Sequence, residues 1–230
     1  MGLKVRTLSF LLDCVDKVYG SYDGLSMLEL GNQTLRVPAR VVGRKMILCD
    51  QLGKKKWRGF AKQYFQSLGF RHTSMDMNGY NGAVKIDLSR LVDPKWHNRF
   101  DVVTNFGTSE HVWARSFSGQ YECFRNMHVC AKATGLIIHA VPLQGTYSGH
   151  CTYYYSFKFF KTMAADNAYK IVALVRLPMG KEHILIGAAF QKTSQAFSLD
   201  PARFRYVQEV NENEDAYPWM PSKTKVRREA

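Results

Sequence analysis

The chain lacks an apolar run of the roughly 18 residues that a membrane-spanning helix needs, so no such span is expected. Its five cysteines, at 14, 49, 123, 130 and 151, contain no CxxC pair and are odd in number, which argues against a cysteine-built zinc site and a disulfide framework. There are only 7 prolines, no Pro/Gly/Ser-rich stretch that would mark a linker, and no internal repeat, so a division into several domains has no support. Acidic residues are scarce: 19 Asp and Glu stand against 32 Lys and Arg, for a net charge of +13. Glycine is short in one telling place. The stretch "MLELGNQTL" (27–35) ends an apolar run on Gly31 alone, where a loop that cradles a dinucleotide would carry three.

What is present suits one globular domain. A hydrophobic fraction of 46% with 13% aromatics, over 230 residues, is enough to bury a core and too much for a disordered chain. Lys4 and Arg6 precede "LSFLL", but Asp13 and Asp16 end that run too early for a signal peptide. An amphipathic helix within 1–24, covering the open end of a sheet, is the expectation, with free thiols in a reducing cytoplasm. The excess of basic residues is densest in "GKKKWRGFAK" and in the tail "KTKVRRE". Such a balance suits polyanionic partners, nucleic acid among them; a solvated basic face accounts for it equally well.

Elements alternate in type along the chain. "LSMLEL" (25–30) reads as a buried strand. Residues 54–68 read as a helix, with Trp57, Phe60, Ala61, Tyr64 and Leu68 on one stripe and Gly69 closing it. Strands follow through "RHTSMDMNG", "AVKIDLS" and "FDVVTNFG" (100–107). Phe117, Tyr121, Phe124, His128 and Ala131 mark a second helix, with Gly135 as its cap before the strand "LIIHAVP". A further helix is expected around 156–167, then "YKIVALVRL" and "HILIGAAFQ" as an antiparallel pair. The alternation implies an α/β fold: a doubly wound, mostly parallel, Rossmann-like sheet of seven strands with a terminal antiparallel strand and helices on both faces. In such sheets ligands bind beyond the carboxyl ends of the strands. The residues to examine are therefore Glu29, Gly31, Asn32 and Gln33 after the first strand, Asp76 and Asp87 after the next two, Asn105 at the fourth, and His139, Pro142 and Gln144 at the fifth.

Taken in order, "MLELG", "SMDMNG", "VKIDLS", "FDVVTNFGTSEHV" and "GLIIHAVP" resemble the motifs of class I S-adenosylmethionine-dependent methyltransferases of the type 11-like group, over residues 25–192. The resemblance implies S-adenosylmethionine as cofactor. It assigns Glu29, Gly31 and Asn32 to the methionine end, Asp76 to the ribose hydroxyls, Asp87 and Leu88 to the adenine edge, and Asn105 and Phe106 to the floor of the site. Residues 34–53 then stand as an inserted loop and 193–230 as an extension with a basic tail. Some relatives bind a divalent metal through carboxylates and a histidine after the fourth strand; here Gly107 stands where a further carboxylate would be, and no metal is expected.

Transfer of a methyl group to a hydroxyl or amine needs a base for the acceptor's proton. His111, with Glu110 beside it, is the candidate; the same pair could simply hold a loop. His150 and Tyr154 are candidates for acceptor contact; Tyr153, Tyr154, Tyr155, Phe157, Phe159 and Phe160 could stack a flat acceptor, although packing of the following helix is the commoner explanation for such a run. His128 and His139 sit on apolar faces and read as core histidines. The leading reading is a methyltransferase for an O or N of a small or medium-sized acceptor. The alternatives are a nucleic-acid methyltransferase and a non-catalytic binding protein that kept the fold and lost the cofactor.

Overall fold

The computed structural model describes residues 3–38, 56–114, 117–146, 149–180, 182–193 and 196–210. At its centre is a seven-stranded sheet in the order β5-β4-β1-β6-β7-β10-β9. The strands are β1 (Ser26–Leu30), β4 (Arg71–Asp76), β5 (Val84–Lys85), β6 (Phe100–Phe106), β7 (Ala131–Pro142), β9 (Lys170–Pro178) and β10 (Ile184–Gln191). Pairings from β5 through β7 are parallel, while β10 runs antiparallel to both of its neighbours. The last strand of the sheet in chain order is thus the antiparallel one, and it inserts between β7 and β9 instead of lying at the edge.

Alternation along the strands feeds two cores. Met27, Val102, Ile138 and Ala189 point into one cluster, and Leu28, Leu30, Val103, Ile137 and Ala188 into the other. Helix α1 (Val5–Tyr19) closes the first with Leu8, Leu11, Leu12 and Val15, spaced to form one helical stripe. It ends at Gly20, whose φ of 70° lets its N–H reach the Asp16 carbonyl. The helix lies on the sheet's face, not over an open end: Phe10 packs against Gly187 of β10, and the Lys17 ammonium donates to the Val172 carbonyl at 2.9 Å. Helices α3 (Ser118–Cys130) and α4 (Phe157–Asp166) cover the opposite face, with Phe124, Met127, Phe159 and Phe160 at the centre of the second core. Leu199, Phe204 and Val207 join that core, and β11 (Gln208–Glu209) pairs with β8 (Tyr153–Tyr154), so the described part of the C-terminal extension packs onto the domain.

Two local expectations need correction. The helix expected over 54–68 is a strand, β3 (Lys56–Phe60), followed by a shorter helix, α2 (Ala61–Ser67). Strand β3 pairs antiparallel with β2 (Thr34–Pro38), the start of the expected loop 34–53; residues 39–53 lie outside the described residues. Gly135 does not cap α3, because that helix passes directly into β7 at Ala131 and Gly135 lies inside the strand. A Cβ there would come within 3.1 Å of the Phe100 carbonyl, so the glycine permits a close approach of β6 and β7.

Candidate active site

The chain runs outward from β1 to β4 and β5, then returns to place β6 on the other side of β1. This reversal opens a crevice at the carboxyl ends of β1 and β6, where Leu30 stands opposite Asn105. Gly31 turns the chain there with φ of 77°, and its N–H donates to the Met75 carbonyl at 2.7 Å. The single glycine is needed on two counts: its backbone is left-handed, and a Cβ would lie 2.4 Å from Thr108 Oγ1 and 2.9 Å from Gln33 Nε2. Thr108 is held in place by donating to the Leu30 carbonyl at 2.7 Å. Across the crevice, the Asp76 carboxylate accepts from the Asn32 and Asn78 backbone N–H groups at 2.9 and 3.0 Å, tying the β1 and β4 loops together. Met77 and Tyr80, 57% and 71% exposed, leave apolar surface beside it.

A second constellation follows β6. Gly107, at φ 72°, turns the chain into the short 3-10 turn Ser109–His111. Asn105 secures the turn by accepting from the Ser109 N–H at 3.0 Å and donating to Ser109 Oγ at 2.8 Å. Gln120 of α3 donates to the Ser109 and Val112 carbonyls at 2.6 and 2.7 Å, and Tyr155 Oη donates to Gln120 Oε1 at 2.6 Å. The result fixes Glu110 inward, fully buried, with neither carboxyl oxygen hydrogen-bonded. Burial pushes its carboxyl up to about 8. His111 beside it is pulled down to about 3, first by burial and then by the neighbouring His150. His150 reaches the same place from the loop after β7, its ring 5.5 Å from that of His111, and burial lowers it too. Tyr154 holds this loop: its hydroxyl accepts from the His150 and Cys151 N–H groups at 3.1 and 3.4 Å.

Among solved structures, the 1,6-didemethyltoxoflavin-N1-methyltransferase of Burkholderia thailandensis, with bound 1,6-didemethyltoxoflavin and S-adenosylhomocysteine, superposes with a TM-score of 0.51 over 83% of this chain and 79% of its own, at 15% identity. The chain has the class I S-adenosylmethionine-dependent methyltransferase fold. The N-methyltransferase NodS of Bradyrhizobium japonicum WM9, in complex with S-adenosyl-L-homocysteine, gives a TM-score of 0.49 at 12% identity over 81% of this chain and 87% of its own. No protein-family model matches the sequence, and no curated protein matches it.

Within this methyltransferase fold the residues assigned from the sequence fall in three groups. Gly31, Asn32 and Asp76 lie together past the carboxyl ends of β1 and β4. Glu110, His111 and His150 gather past the end of β6. The remainder are turned inward or into their own turns. Glu29 is buried, with Oε2 3.5 Å from His72 Nε2 and accepting from the Gln33 N–H; burial raises its carboxyl while His72 and that N–H oppose the shift. Asp87 accepts from the Ser89 N–H and hydroxyl and pairs with Arg90. Leu88 and Phe106 are core residues, Asn105 is fully buried, and Tyr154 is 3% exposed. His139 is buried with Nδ1 3.2 Å from Asn105 Nδ2, and His128 with Nδ1 2.6 Å from Tyr169 Oη. Thr108, Ser109, Gln120 and Tyr155 carry much of the site's geometry and were not singled out from the sequence. For Thr108 a signal existed, since it directly follows the Gly107 turn after β6. Tyr155 was hidden inside an aromatic run whose other members fill the core.

Proposed function

We propose that the chain is an S-adenosylmethionine-dependent methyltransferase for an O or N of a small or medium-sized acceptor. The observation that carries this reading is the reversal of strand order at β1/β6, with Gly31, Asn32 and Asp76 gathered at the carboxyl ends of the strands there. Several groups there suit the cofactor. Gln33 Oε1 is buried without a partner beside Gly31 and can accept from an ammonium; the Asp76 carboxylate keeps lone pairs beyond its two backbone bonds for ribose hydroxyls; and Met77 and Tyr80 give a flat base apolar surface. S-adenosylmethionine supplies a methyl group on a positively charged sulfur. Glu110, on the turn after β6, takes the proton of the acceptor, with His111 beside it. With its carboxyl near 8, Glu110 is the stronger base of the two but accepts a proton only in its ionised fraction at neutral pH, and His111 at about 3 orients the acceptor through a neutral ring.

A non-catalytic reading draws on a specific feature: Thr108 and Gln33 occupy the space on the Cβ side of Gly31, and both oxygens of Asp76 already accept backbone bonds. Calorimetric titration with S-adenosylhomocysteine and S-adenosylmethionine separates the two. Micromolar binding by the wild-type chain, weakened at least about tenfold in Asp76→Ala, supports the enzyme; that factor corresponds to about 1.4 kcal/mol. A folded wild-type chain that binds neither ligand would leave the non-catalytic reading standing. A nucleic-acid acceptor is a separate reading to which the net charge of +13 lends support, and strongly salt-dependent retention on RNA would select it.

A further inference from the structure

We propose that Glu110, His111 and His150 form a site for one divalent first-row transition-metal ion, whose open positions take an oxygen of the methyl acceptor; with the ion bound, Glu110 and His111 act as its ligands and not as base and orienting group. The first half of this proposal stands on geometry alone; the second rests on the methyltransferase reading.

Each of the three side chains offers a ligand atom, and these atoms all lie within 4.8 Å of one another. Two atoms each about 2.1 Å from a common ion lie at most about 4.2 Å apart, so side-chain adjustments of under about 1 Å close the set. Glu110 gives the independent indication of a ligand. It is fully buried, and neither carboxyl oxygen has a hydrogen-bond partner. Leaving such a group unsatisfied is costly, and more so once it is ionised. The hydrogen bonds of Asn105, Ser109, Gln120 and Tyr155 stabilise the turn around Glu110 without reaching its carboxyl. The turn is built to hold that group inward, and a cation between it and two imidazoles supplies the missing countercharge.

The donor set selects the ion. Two imidazole nitrogens and one carboxylate suit zinc, manganese, cobalt or iron; calcium and magnesium prefer oxygen shells. Three protein ligands leave positions open, and the ligands come from two segments, the turn after β6 and the loop after β7. Along the chain, Gly107 stands where a further carboxylate would be. The fold instead brings His150 from 39 residues further on, a separation that follows from the two residue numbers.

The test uses the full, tag-free chain, freed of metal and titrated with Co2+, Zn2+ and Mg2+ by calorimetry and, for Co2+, by visible absorption. The expected result is one equivalent of Co2+ or Zn2+ bound at micromolar or tighter affinity, with Mg2+ at least about tenfold weaker. Glu110→Gln and His150→Ala should each weaken Co2+ at least about tenfold and change its spectrum. If Glu110→Gln does not fold, His150→Ala, in a loop, decides. Absence of Co2+ and Zn2+ binding by folded wild type, or equal affinity in His150→Ala, overturns the proposal. A parallel titration with S-adenosylhomocysteine keeps the two readings apart: that ligand bound without Co2+ sinks the metal site and spares the methyltransferase, and the reverse result does the opposite.

Discussion

Replacing Gly31 by alanine places a methyl group where the structure has a hydroxyl, so the energetic consequence can be worked through. At φ 77° an L-residue is strained by about 1–2 kcal/mol. The new Cβ would sit 2.4 Å from Thr108 Oγ1, closer than any real contact, so Thr108 must rotate and give up its 2.7 Å bond to the Leu30 carbonyl, worth about 1 kcal/mol. Gln33 Nε2, at 2.9 Å, is the far end of a flexible side chain and can shift cheaply. Gly31→Ala should therefore destabilise the chain by about 2–3 kcal/mol, measured by urea unfolding. Thr108→Ala alone removes the hydroxyl and should cost about 1 kcal/mol. In the double variant the clash is gone and only backbone strain and the lost bond remain, so the effects should fall short of additivity by about 1 kcal/mol. Additive effects, or a Gly31→Ala cost below about 0.5 kcal/mol, would refute this account of why the loop keeps its one glycine.

Two further outcomes concern the frame around the site. Asp101 accepts from Ser26 and from Lys132, joining the starts of β1 and β7 across β6. Burial pulls its carboxyl up, but the Lys132 ammonium and the Ser26 bonds outweigh this and hold it below the usual aspartate range. The stabilisation is complete above the unfolded-state value and is lost as pH falls through the folded one. Asp101→Asn should cost about 1–2 kcal/mol at pH 7, with the gap to wild type closing below about pH 4 in acid-unfolding curves. Tyr155→Phe should cost about 1–3 kcal/mol, because it strips the buried Gln120 Oε1 of its donor; thermal unfolding should fall by roughly 3–8 °C, and an unchanged midpoint would mean that the network does not brace the turn.

Much of the sheet was legible because its central strands are buried on both faces and announce themselves as continuous apolar runs: "FDVVTNF", "LIIHAVP" and "ILIGAAFQ" need no partner to be recognised. Misreadings came where a distant partner decides the outcome. Residues 56–60 look helical beside Ala61, Tyr64 and Phe65, yet Thr34–Pro38 claims their backbone as a strand. Local spacing carries no trace of a pairing with a segment some twenty residues away. Gly135 looks like a helix stop because glycine usually is one there, whereas the close passage of β6 demands it within a strand. The site divides in the same way. Gly31, Asn32 and Asp76 follow from the rule that ligands gather beyond strand ends. The meeting of His150 with Glu110 and His111 depends on two loops converging, which only the folded chain reveals.

The placement of β10 has a consequence for how the domain is assembled. Strand β7, buried through most of its length, gains its outer neighbour only from Ile184–Gln191, whereas β9 is made first and takes its place beyond a strand that does not yet exist. A chain growing from the ribosome therefore carries the open edge of β7 until β10 emerges. Lys192, one residue past that strand, donates to the His128 and Ala131 carbonyls and finishes the junction where α3 passes into β7 without a loop. The β7 side of the sheet is thus completed only by the sheet's last strand in chain order, and a synthesis halted at Pro178 leaves that apolar edge without a partner.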